Sequence, residues 1–135
     1  MAEAKAAAVQ ARLQAASLAF TKLETELSGV VEARQRLDSQ LSENELVLKE
    51  FSLLKSHNTV YKLVGPSLVP QEEAEAKQNV EKRLEFIRSE IKRVEAQLKD
   101  SEEKTGKKRG EVMALQQEFQ ALQGGAPQGG RPVAA

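Results

Sequence analysis

Residues 59–69 read Thr59-Val60-Tyr61-Lys62-Leu63-Val64-Gly65-Pro66-Ser67-Leu68-Val69. From Thr59 to Val64 every residue except Lys62 and Leu63 is β-branched or aromatic, which is strand chemistry. Gly65-Pro66-Ser67 is turn punctuation, because Gly accepts a positive φ and Pro presets φ at the next position. Leu68-Val69 opens a second short strand. The stretch predicts a β-hairpin over about residues 59–70. Tyr61 and Leu63 fall on one face and Val60 and Val64 on the other, so both faces carry apolar groups. A lone two-stranded hairpin is marginal in water, and its edges offer unpaired N–H and C=O groups. The expectation is an assembly element that gains stability by pairing with hairpins of other chains in a larger sheet or barrel. A plain connector folding back on its own helices is the competing expectation. The run is too strand-like for a turn that needs only a few residues.

The flanks read as helices. Residues 3–56 contain no Pro and a single Gly, Gly29, which costs roughly 1 kcal/mol against Ala in a helix and beside Ser28 is a candidate kink. Alternating steps of four and three from Val9 give Val9, Leu13, Ala16, Phe20, Leu23, Leu27, Val30, Arg34, Leu37, Leu41, Asn44, Leu48 and Phe51. That is a coiled-coil seam broken only by Arg34 and Asn44. Arg34 is expected to snorkel to water. Ser56-His57-Asn58 ends this first helix, Asn being able to adopt the left-handed cap conformation.

Pro70 is expected to precede the second helix, at about 72–123, with Glu72, Glu73 and Glu75 complementing its dipole. Its seam runs Val80, Leu84, Ile87, Ile91, Val94, Leu98, Ser101, Thr105, Lys108, Val112, Leu115, Phe119 and Leu122. The three polar positions are consecutive, and Gly106 and Gly110 lie beside them. A locally loose helix and a half-open groove are expected over about 100–110, leaving Phe20, Leu23 and Leu27 short of apolar partners. Glu32–Arg36, Glu45–Lys49, Glu73–Lys77, Glu95–Lys99 and Glu103–Lys107 are spaced as i,i+4 ion pairs. The predicted fold is mainly α: a long antiparallel coiled-coil hairpin with one short β-hairpin between its helices. Residues 124–135, Gly- and Pro-rich, read as a disordered tail after a 1–123 domain.

Composition agrees and excludes much else. Ala, Glu, Lys, Leu and Arg supply 72 of the 135 residues, the share found in coiled coils. The 20 basic and 20 acidic residues cancel, so no global field attracts nucleic acid or an anionic membrane. An RNA-binding arm would need a basic stripe, yet residues 1–57 and 72–100 each carry 7 basic and 8 acidic groups. Cys is absent, which removes disulfides and thiol chemistry. No apolar run approaches a membrane span, and Met1-Ala2-Glu3-Ala4-Lys5 lacks a signal sequence, so a soluble cytoplasmic protein is expected. His57, the single histidine, sits where a helix ends, and a capping or solvated role suits it better than catalysis. Gly106-Lys107 lacks the remaining parts of a phosphate loop. No cofactor, metal or enzymatic activity is expected.

Together with its flanks, Leu37-x-x-Gln40-Leu41-x-Glu43-Asn44-x-x-Val47-x-x-Glu50 and Glu75-Ala76-x-x-x-Val80-x-Lys82-Arg83-Leu84-x-x-Ile87-x-x-Glu90-Ile91, the hairpin resembles that of beta-class prefoldin subunits over about residues 35–100. The resemblance implies one beta-type chain of a hetero-hexamer of two alpha-type and four beta-type subunits. Its hairpins would form a β-barrel platform from which coiled coils hang. Their tips would hold unfolded proteins, notably actin and tubulin, and deliver them to the cytosolic chaperonin without ATP.

On that reading Val60, Tyr61, Leu63, Val64, Leu68 and Val69 are the subunit-assembly residues. Leu13, Ala16, Phe20, Leu115, Phe119 and Leu122 are the client-binding tip, because seam residues at a frayed end are only partly buried. The partners implied are other prefoldin subunits, the chaperonin and unfolded clients. The alternative is a homodimeric coiled-coil adaptor, which would need the heptads and not the hairpin.

Overall fold

The structure, a computed structural model, describes residues 2–124. Helix α1 spans Ala2–Leu53, strand β1 Val60–Val64, strand β2 Ser67–Gln71 and helix α2 Glu73–Gly124. The expected tail therefore lies, from residue 125 onward, outside the described residues. The chain forms two compact units. Among the described residues one joins 2–30 to 98–124, and the other is Val31–Gln97.

In the Val31–Gln97 unit the seam of α2 supplies the core. Ala76, Val80, Leu84, Ile87, Ile91 and Val94 are all buried, Leu84 to 1% exposure. Removing the Val, Leu and Ile side chains from water stabilises by about 1.5–3 kcal/mol each. The facing seam of α1, from Arg34 through Leu37, Leu41, Asn44 and Leu48 to Phe51, is half-buried throughout. Cross-helix bonds show the helices running antiparallel here. Arg34 Nη2 donates to Glu95 Oε2 at 2.9 Å, and Arg88 Nη2 to Glu45 Oε2 at 3.2 Å.

The two polar seam residues are satisfied. Arg34 bridges Asp38 on its own helix and Glu95 on the other, so it is anchored by two carboxylates and does not simply reach for water. Asn44 Nδ2 donates to the Gln40 carbonyl at 2.7 Å, and its Oδ1 accepts from Arg83 Nη1 at 3.4 Å.

α1 ends at Leu53, earlier than expected. A turn over Lys55–Asn58 stops it. Asn58 N–H donates to the Lys55 carbonyl at 2.9 Å, while Lys55 N–H donates to Asn58 Oδ1 at 2.7 Å. α2 opens on Glu72, whose carbonyl accepts from Ala76 N–H at 3.0 Å, with Glu73 and Glu75 in the first turn complementing the dipole.

In the unit of residues 2–30 with 98–124, Val9, Ala16 and Leu115 form a buried cluster. Leu13, Val112, Phe119 and Leu122 pack against it. Arg12 Nη2 meets Glu118 Oε2 at 3.5 Å and the Arg109 guanidinium lies over the Phe20 ring, so the helices are antiparallel in this unit too. Both helices run unbroken through Gly29, Gly106 and Gly110. Residues 100–110 hold their helix and their register: Ser101 and Lys108 are half-buried seam residues, and Thr105 is 2% exposed. The seam is closed at Thr105, and the expected groove is found only at the end of the stretch, where Lys108 lines an open groove.

Candidate functional site: the β-hairpin and the Leu13–Leu122 end

β1 and β2 pair antiparallel with Val60↔Gln71, Tyr61↔Pro70, Lys62↔Val69, Leu63↔Leu68 and Val64↔Ser67. Gly65 and Pro66 alone form the turn, and Ser67 already belongs to β2. Gly65 has φ +58°, a conformation that costs an L-residue strain and Gly none. A positive φ at the first turn position suits the right-handed twist of a two-residue hairpin, and the ring of Pro66 fixes the negative φ at the second.

Pro70, in the expected hairpin span and ahead of α2, is a residue of β2. It pairs with Tyr61 at the edge, where a missing N–H is tolerated. Directly paired residues share a face, so Tyr61, Leu63, Leu68 and Pro70 make one wholly apolar face. Val60, Lys62, Val64, Ser67, Val69 and Gln71 make the other.

Of the six residues expected to mediate assembly, Val60 is half-buried and the other five are exposed, Leu63 to 69% and Leu68 to 65%. The sheet has two strands only, so both outer edges are unpaired among the described residues. Leu46, Val47, Leu53 and Phe86 in the same unit are exposed as well. The heptad pattern does not single them out, because they stand off the seam.

At the other candidate site the structure brings five of the six expected tip residues together: Leu13, Ala16, Leu115, Phe119 and Leu122. Ala16 and Leu115 are buried and hold the cluster; the other three remain half-exposed. Val9 and Val112 belong with them, and both were legible as seam positions. Phe20 is half-buried, and its ring lies 5.7 Å below the Arg109 guanidinium. Beside this cluster is an open groove of about 410 Å³ whose floor includes Ala15, Ala16, Ala114 and Leu115 and whose walls include Arg12 and Glu111. Thr105 Oγ1 is buried without a hydrogen-bond partner.

Among the described residues no three His, Cys, Asp or Glu side chains gather as metal ligands, and no helix is long and apolar enough to cross a membrane. Glu90 and Arg93 bind side by side on α2. The Arg93 hydrogen bond holds the Glu90 carboxyl below its ordinary value, as Glu90 holds the Arg93 guanidinium above its own. This is a surface helix pair.

The prefoldin subunit family model matches residues 14–119. The chain is 44% identical to bovine (Bos taurus) prefoldin subunit 6 over 122 residues, covering 88% of this chain and 95% of that one. It is 48% identical to the Arabidopsis thaliana prefoldin subunit 6 over 104 residues, 77% of this chain and 81% of that one. The fold resembles the crystal structure of the prefoldin beta subunit from Thermococcus strain KS-1, with a TM-score of 0.69 and 23% identity over 76% of this chain and 90% of that one.

Proposed function

This chain belongs to the prefoldin subunit family, and we propose that it serves as one beta-type subunit of a hetero-hexameric chaperone of two alpha-type and four beta-type chains. The observation that carries the proposal is the hairpin. Five of its six apolar assembly residues are exposed, and two unpaired backbone edges flank them. A two-stranded sheet with this surface lacks the buried area to be stable by itself. Pairing with hairpins of alpha- and beta-type subunits in a shared barrel covers edge backbone and the apolar faces.

The same complex would hold unfolded or nascent proteins, actin and tubulin among them, and hand them to the cytosolic chaperonin without ATP. On this reading Leu13, Phe119 and Leu122, half-exposed over the Val9–Ala16–Leu115 cluster, and Phe20 beneath Arg109, make the client contacts. Each contact is weak, and several tentacles acting on one client add through effective concentration. Client holding by apolar contact needs no bound nucleotide, in keeping with a chain whose chemistry is seam and hairpin. Its place of work would be the cytoplasm.

Native mass spectrometry of the complex recovered with this chain from cell extract tests the proposal. A six-chain assembly with five other small coiled-coil subunits is expected. A stable dimer of this chain alone would sink it in favour of a coiled-coil adaptor.

A further inference from the structure

The two edges of the hairpin are chemically unequal. In an antiparallel ladder closed by a two-residue turn, the pair next to the turn exchanges both hydrogen bonds, and bonded and non-bonded pairs alternate outward. Val64↔Ser67, Lys62↔Val69 and Val60↔Gln71 are therefore the bonded pairs, and Leu63↔Leu68 and Tyr61↔Pro70 the non-bonded ones. The peptide groups of the non-bonded residues face away from the partner strand. The outer edge of β1 thus presents an N–H and a C=O from each of Tyr61 and Leu63. The outer edge of β2 presents both groups at Leu68 but only a C=O at Pro70, because proline has no N–H. Proline at an outward-facing position is a known means of blunting a sheet edge.

We propose that β1 is the docking edge, which takes an extended strand from another subunit's hairpin along Tyr61 and Leu63, and that Pro70 keeps a strand from pairing along the β2 edge. The partner strand is identified by its chemistry. It offers two outward C=O and two outward N–H groups to match those of β1, and apolar side chains that continue the Tyr61–Leu63–Leu68–Pro70 face. The proposal rests on the hairpin being the assembly element, and it adds which edge leads.

Substitutions at positions 63 and 68 test it, because their N–H groups serve a neighbour and not the hairpin's own ladder. Leu63→Pro and Leu68→Pro remove the outward N–H; Leu63→Thr and Leu68→Thr lose the apolar side chain and keep the N–H. Each full-length variant is co-expressed with the wild-type chain and the other prefoldin subunits, and incorporation into the complex is read by native mass spectrometry. Leu63→Pro is expected to incorporate about ten-fold less than Leu63→Thr, the effect of a lost hydrogen bond whose partner is left unmatched. Leu68→Pro is expected to track Leu68→Thr within about two-fold. An equal or larger loss for Leu68→Pro overturns the proposal.

Amide exchange on the wild-type complex gives a second readout that no misfolded variant can confuse. Tyr61 and Leu63 amides should gain protection on assembly, and Leu68 should exchange much as in the free chain. Protection of Leu68 equal to that of Tyr61 and Leu63 overturns the edge assignment alone. No added protection at any of the three, with both Thr variants incorporating as wild type, overturns the assembly reading beneath it.

Discussion

The guanidinium carbon of Arg109 stands 5.7 Å from the centre of the Phe20 ring. A cation over an aromatic face at an accessible site is worth about 0.5–1 kcal/mol. The contact covers part of an apolar ring that sequence reasoning had left without apolar partners. It also makes Phe20 a ring whose availability depends on one exposed, charged side chain.

Arg109→Ala is expected to uncover Phe20 and strengthen the hold on clients, at a stability cost of about 0.5–1 kcal/mol. Light scattering of unfolded actin in the presence of the reassembled complex measures the first effect, and thermal unfolding the second. Suppression no better than wild type would show that Phe20 does not touch clients.

Replacing Phe20 and Phe119 together by Ser should weaken client holding while leaving assembly intact. A combined loss of roughly 1.4 kcal/mol from the two rings predicts about ten-fold lower client affinity. The same scattering assay reports it, with native mass spectrometry as the assembly control. Unchanged suppression would remove the Leu13–Leu122 end from the list of client sites.

Thr105→Val should stabilise the protein. The Thr105 hydroxyl is buried and has no partner, so it carries a desolvation cost with nothing to offset it. Val keeps the shape and deletes the oxygen, and a gain of about 1 kcal/mol is expected in denaturant melts. Amides over 100–110 should exchange faster than those over 80–98 in the wild type, where Leu84, Ile87, Ile91 and Val94 are buried. The Val variant should slow the faster set. Equal protection of the two stretches in the wild type would count against a soft segment.

Gly65→Ala should lower hairpin stability by about 1–2 kcal/mol, the strain of a left-handed conformation for an L-residue. A β-carbon there meets nothing within 4 Å, so the cost is backbone alone. Asn, which tolerates this conformation, should restore most of the loss. Circular dichroism should show unchanged helix for both variants, and incorporation into the complex should fall for Ala and recover for Asn.

The seam was fully legible in the sequence. Every position from Val9 to Phe51 and from Val80 to Leu122 reached by steps of four and three is buried or half-buried, including Arg34, Asn44, Ser101, Thr105 and Lys108. Periodicity gives the face whatever residue stands there, so polar residues were carried into the interface with the rest. The hairpin was legible from its β-branched run, with Pro70 inside its expected span, but the edge that Pro70 faces was not. Proline ordinarily stops strands, and only the register shows its nitrogen on the outer edge. The five expected i,i+4 pairs are not among the ion pairs observed in the described residues. Glu45 turns to Arg88 and Glu95 to Arg34, because an arginine on the facing helix offers a hydrogen-bonding fork that a lysine one turn away does not. Such choices depend on which side chains the neighbouring helix brings near, and no local spacing records that. The Arg109 position over Phe20 was hidden for the same reason.

The ladder of β1 and β2 has a complete margin on one side and, at Pro70, a notched one on the other, so the motif has a left and a right. Objects with two like sides can be set into a ring either way up. Objects with unlike sides must all face the same way round or meet like to like, and each arrangement is a different ring. In a shared barrel, one pyrrolidine ring in a five-residue strand would therefore give this subunit a sense of circulation, and with it a means to fix who sits clockwise of whom.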